Sequence, residues 1–246
     1  MFGTGGRGDQ HHAPLMSNRI GFWAAVLTVL VTMAFAIAGV ATPARSGPMC
    51  ATWGCIPAPY TDVARFVPGD YLWMIPGLAL IPIFVVLIAS IGALAFERDR
   101  LLSRISFGFA IVYAVIVGVD YFTQFAVVAP SLQAGETQGL SLFTQYNPHG
   151  FFIAGEAIGY LAMSAALLFA APLFTGPGLL RSLRWLLCVG FALAVAAFVG
   201  LWLLAGDLIA FEVALLSINW IVLIGCATLL AVLFRRAPGA PVASIG

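Results

Sequence analysis

Six long apolar stretches alternate along the chain with short polar separators. They cover about residues 20–41, 71–96, 105–129, 149–174, 183–205 and 208–234. A helix needs about 20 apolar residues to cross the hydrocarbon of a bilayer. The pattern therefore predicts an all-α, polytopic bundle of six transmembrane helices. The separators are a Pro/Gly/Cys-rich segment (42–70), "ERDRLLSR" (97–104), a polar segment (130–148), "TGPGLLRSLR" (175–184) and the tight turn at Gly206–Asp207. That last turn makes the fifth and sixth spans an antiparallel hairpin. The domain reading is a tail over residues 1–19 without fixed structure, a membrane domain over 20–236 and a second tail over 237–246.

Composition strengthens this reading. Charged residues make up 9% of the 246-residue chain and hydrophobic ones 62%, whereas soluble domains carry about 25% charged residues. Mean hydropathy is +1.04. All 11 basic side chains are Arg, which reads as the base composition of a GC-rich bacterial genome. Arg7, Arg19, Arg98, Arg100, Arg104, Arg181, Arg184, Arg235 and Arg236 fall on one side of the alternating spans, and Arg45 and Arg65 on the other. Basic residues accumulate on the cytoplasmic side, so both termini are expected in the cytoplasm of a bacterial inner membrane. No basic patch exceeds these flanking Arg, which argues against a nucleic-acid partner. The first span also admits a second reading, because "AFAIAGVATPA" has the small residues of a signal-peptidase site. Met16 is an alternative start, and the early Arg-Gly-Asp and His-His strings read as chance.

The candidate chemistry lies where the spans stop being apolar. Asp120, Glu156 and Glu212 interrupt the third, fourth and sixth spans. Counting from Pro130, from Asn147 as helix cap with Pro148 in the first helical position, and from Asp207 as the last cap puts all three about 7–15 Å from the outer helix ends. His149, Ile153, Glu156 and Tyr160 share one helical stripe; Tyr113, Asp120 and Gln124 share another; Glu212, Asn219 and Cys226 recur every seven residues. Such stripes face neighbouring helices. An acid at mid-membrane costs about 2.5–3.5 kcal/mol on insertion scales, and no Arg or Lys lies inside these spans to neutralise it. The ligand-binding or proton-binding set is therefore Asp120, Glu156, Glu212, His149, Tyr160, Gln124 and Asn219, suited to a proton, a cation or a small hydroxylated molecule. The competing reading makes the same carboxyls hydrogen-bonded links between helices.

Other features change the picture less. Cys50 and Cys55 in an outer loop read first as a local disulfide, with a thiol-redox site or a metal pair as lesser alternatives. Cys188 and Cys226 read as packing residues. Pro82 is expected to kink the second span; kinked helices often border cavities. Trp23, Tyr71, Trp73 and Trp185 suit an aromatic belt. Leu140, Phe143 and Tyr146 suggest a short surface helix able to cover the acids. The chain has no phosphate-binding Gly loop, His-Glu-x-x-His or Gly-x-Ser-x-Gly. A single core His disfavours haem b, the acids show no inverted repeat, and no cofactor or metal is expected.

The strings "YFTQFAVVAPSL", "GETQGLSLFTQYNPHGFFIAGEAIGYLAMSAALLFAAPLF", "FEVALLSINWIVLI" and "LLAVLFRR" resemble uncharacterised six-pass bacterial membrane proteins grouped by a domain of unknown function, over about residues 105–236. The resemblance implies a bacterial helical bundle and no activity. Asn219–Trp220 is faintly similar to sterol-isomerase-like proteins, whose intramembrane catalytic His this chain lacks. Three functions follow as expectations: a binding or transport protein with an outward-facing acidic pocket; an accessory subunit or homo-oligomer packed against a membrane-protein partner; and an intramembrane enzyme acting on a lipid through Glu156 or Asp120.

Overall fold

The computed structural model describes residues 9–47, 50–52 and 54–236, with backbone alone over 9–17. Six helices in it are long and apolar enough to cross a membrane, and no strand occurs among the described residues. The long helices are α1 (Asp9–Ala41), α2 (Met74–Gly92), α3 (Arg100–Thr123), α5 (Phe151–Ala170), α6 (Leu179–Ala197) and α7 (Leu208–Arg236); a short α4 (Ala129–Ala134) continues α3. Helix α1 begins at Asp9, so residues 9–19 are helical where the sequence predicted an unstructured tail. Residues 1–8, Arg7 among them, and the tail 237–246 lie outside the described residues.

Helix boundaries follow local backbone chemistry. A π-helical turn over Gln124–Val128 carries α3 into α4, with Pro130 in the first turn of α4. The wider turn accommodates a proline that offers no N–H. The helix therefore passes Pro130 and stops at Gly135, whose φ of 76° ends it. Helix α5 starts three residues later than the sequence predicts. The Asn147 side chain accepts a bond from the His149 N–H at 3.0 Å, and the Gly150 N–H bonds the Asn147 carbonyl at 2.9 Å. Those bonds make residues 147–150 a turn, and Gly150 caps the helix. Asp207 does cap α7, its Oδ1 accepting the Ala210 N–H at 2.9 Å.

In cross-section α1, α2, α3, α5, α6 and α7 form a closed ring, with α7 against α1 and α5 also against α7. The most deeply buried span is α5. Its small residues allow this. A Cβ on Gly155 would lie 2.9 Å from Asp120 Oδ2, and Gly159 in the next turn faces Val117. A Gly-x-x-x-Gly pair on one face is a recurrent way for membrane helices to approach closely.

The loop end is knitted shut. Arg45 Nε pairs with Asp70 Oδ2 at 2.6 Å, and the Arg45 guanidinium lies 3.4 Å from the Phe66 ring centroid. The Tyr146 hydroxyl donates to the same Asp70 oxygen at 3.0 Å, and the Gln145 amide donates to the Asp70 carbonyl at 3.1 Å. Cys50 and Cys55 form the expected disulfide in this region. The expected surface helix is a single 3-10 turn over Leu140–Leu142 instead; Leu140 and Tyr146 point inward and Phe143 outward. The Tyr146 contact with Asp70 and the Gln124 bond to the Phe143 carbonyl tie this segment to the bundle, while Leu142 and Phe143 stay exposed.

Candidate functional site

Three helices deliver the site. On α3, Asp120 faces the gap that Gly155 leaves in α5. Its neighbour Tyr121 is fully buried, stacked on Phe152 with centroids 5.8 Å apart and edge-on to Trp73 at 5.6 Å. This packing fixes the phenol so that its hydroxyl bonds Glu156 Oε1 on α5. The same hydroxyl lies 3.0 Å from that of Tyr160, one turn further along α5. Tyr113, two turns back on α3, packs its ring 5.6 Å from Tyr160. On α7, Glu212 faces Glu156. Asp120 lies within electrostatic reach of both other acids.

All three acids are withdrawn from solvent. Glu156 is wholly buried, and Asp120 and Glu212 nearly so. Asp120 Oδ2, Glu156 Oε2 and the Tyr113 hydroxyl are buried with no protein hydrogen-bond partner. Beyond Arg104, α3 carries no basic residue, α5 carries none, and those of α7 are confined to its last turn. Among the described residues, no group of three His, Cys, Asp or Glu side chains could hold a metal ion.

The remaining expected site residues have partners of their own. Gln124 ties α3 to the cap: its amide donates to the Phe143 carbonyl at 2.7 Å and its carbonyl accepts the Gln145 N–H at 3.2 Å. Asn219 fastens α7 to α5, accepting from the Ser164 hydroxyl at 3.1 Å and donating to the Leu215 carbonyl at 2.9 Å. His149 is exposed in the turn before α5 and shares no helical stripe with Glu156. Tyr160 belongs to the cluster through Tyr121.

Two contributors escape a reading by stripes. Tyr121 lies about 100° around the helix from Asp120, so it falls off the acidic stripe. Asp70 sits in a 3-10 turn before α2, 25 residues from Arg45. The cap they help to build touches the cluster through Trp73, whose indole N–H donates to the Gln145 side chain at 3.1 Å while its ring flanks Tyr121. Burial, and next the charge of Asp70, push the Tyr146 phenol above its ordinary range.

Neither the open groove between α1 and α2 nor a small void beside Asn219 is lined by any of the three acids. Fold and site together define a multi-pass helical membrane protein with a closed carboxyl–tyrosine cluster. No family profile, curated protein or solved structure matches the chain.

Proposed function

We propose that the chain is a bacterial inner-membrane transport or binding protein whose Asp120–Glu156–Glu212 cluster, near the outer face, binds and passes protons. The observation that carries this reading is the burial of three carboxyls on three packed helices, one of them held by the Tyr121–Glu156 bond, in stretches of sequence that hold no basic residue. Like charges so close cannot all persist without bound positive charge. Tyr121 and Tyr160 extend the cluster inward as hydroxyls able to accept and donate in turn. The cap of Arg45, Asp70, Gln145 and Tyr146 closes it from the outer side.

The experiment is proton uptake into liposomes holding the purified chain, driven by a potassium diffusion potential and read by an entrapped pH dye. Uptake above protein-free vesicles is expected, with at least a tenfold loss in Glu156→Gln. Uptake equal to empty vesicles, or unchanged in both Glu156→Gln and Asp120→Asn, contradicts the proposal.

A second reading, an accessory subunit whose polar residues only join helices, is favoured by the Ser164–Asn219 bond between α5 and α7. Under that reading the same substitutions lower stability and leave vesicle pH unaffected.

A further inference from the structure

At the opposite end of the bundle from the cap, a groove of about 410 Å³ opens sideways between α1 and α2. Its walls are apolar: Trp23 and Leu27 from α1, and Pro82, Ile83 and Val86 from α2. Arg19 stands at its rim. The two helices run antiparallel, since Phe35 near the other end of α1 stacks on Trp73 before α2. Pro82 sits inside α2, where it removes one ladder bond and clashes with the preceding turn. Pro82 itself lines the groove. Trp23 is 58% exposed and Leu27 43%, so these side chains look outward into acyl chains.

Charge singles out the occupant. Arg98 and Arg100 are paired with Asp99 and Glu97. Arg19 has no acidic partner among the described residues, and neither have Arg235 and Arg236. The last turn of α7 reaches the same end of α1, because the Phe234 ring fills the space in front of Gly21. An exposed guanidinium above a lateral apolar groove matches one chemistry, an anionic head joined to a hydrocarbon tail. Basic positions between helices at a membrane surface are suited to such lipids.

We infer that the α1–α2 groove is a binding site for an anionic phospholipid, its acyl chain lying along Trp23, Leu27, Pro82 and Val86 and its phosphate held by Arg19. The guanidinium supplies the fork that matches phosphate oxygens. A zwitterionic lipid fits the groove equally well and lacks the net charge, so head charge is what the site discriminates.

Trp23 provides the readout. The full chain is reconstituted in bilayers doped with brominated phosphatidylglycerol or brominated phosphatidylcholine, and the Trp23 signal is isolated by subtracting a Trp23→Phe variant. One basic contact at the surface is worth about a fivefold preference. Quenching by the anionic lipid is therefore expected at roughly fivefold lower mole fraction. The preference is expected to vanish in Arg19→Gln and to persist in Arg19→Lys. Equal quenching by both lipids in the native chain overturns the inference, as does a preference that survives Arg19→Gln. Arg19 is exposed, so neither variant disturbs the core.

Discussion

The Tyr121 hydroxyl on α3 donates a hydrogen bond to Glu156 Oε1 on α5. This bond holds together the two helices that carry Asp120 and Glu156, and the Tyr121 ring is locked by Phe152 and Trp73. Tyr121→Phe keeps the ring and removes the donor. A buried acceptor left without its partner costs about 1–3 kcal/mol. The expected result is a lower melting temperature for Tyr121→Phe in detergent. Tyr160→Phe, which leaves Glu156 its donor, should melt closer to the native chain. Equal losses for the two variants would remove Tyr121 from its bridging role.

Gly155 sets how near Asp120 comes to the α5 backbone. An added methyl group would stand 2.9 Å from Asp120 Oδ2, and overpacking of this kind costs about 1–3 kcal/mol. Gly155→Ala is expected to destabilise the bundle. Adding Asp120→Ala to it should recover part of the loss, because the two groups compete for one space. Strict additivity, measured as a double-mutant cycle of thermal stability, would separate Gly155 from Asp120.

The cap makes a prediction at alkaline pH. Tyr146 is surrounded by Asp70, Arg45 and Tyr71, and its phenol is pushed above the ordinary value of 10.0 by burial first and the Asp70 charge next. A raised value means that the folded state holds this proton more tightly than the unfolded one. Its contribution is complete below about pH 10 and declines as pH climbs past that value. Hydrogen exchange over residues 143–148 should accelerate above pH 10 in the native chain. In Tyr146→Phe, exchange should begin faster at neutral pH, through loss of the Asp70 bond, and rise less steeply with pH. Parallel pH curves for the two proteins would contradict this account of the cap.

The spans were legible because hydrocarbon imposes a length and a composition on any crossing helix. The acids were legible because they are rare there. Counting residues from the helix ends predicts one depth for Asp120, Glu156 and Glu212, and all three side chains are buried in the structure. Two of the starting points of that count lie elsewhere in the structure: α3 runs on past Pro130, and α5 starts at Phe151. Each shift is short beside the depth of the acids.

Pairing information was less legible. Tyr121 owes its place to rings contributed by residues far off in sequence, and no spacing on α3 reveals that. Asp70 and Arg45 become partners only once the segment between α1 and α2 has folded back on itself. His149 was misplaced because an Asn-based turn postponed the helix by one turn. One signal was present all along. Gly155 and Gly159 stand four apart on either side of Glu156 and mark where α3 approaches, which points to the carboxyl that ends up deepest.

The central claim is that three carboxyls act as one electrostatic unit. Infrared difference spectroscopy of the reconstituted chain, titrated with pH, resolves carboxyl stretching bands and assigns them through Asp120→Asn, Glu156→Gln and Glu212→Gln. Groups that interact strongly titrate together, each dependent on the charge of the others. Replacing Glu212 with Gln is expected to displace the titration of the Glu156 band by at least about one pH unit, and that of the Asp120 band measurably. Bands that titrate at the same pH whether or not Glu212 is present would contradict the claim.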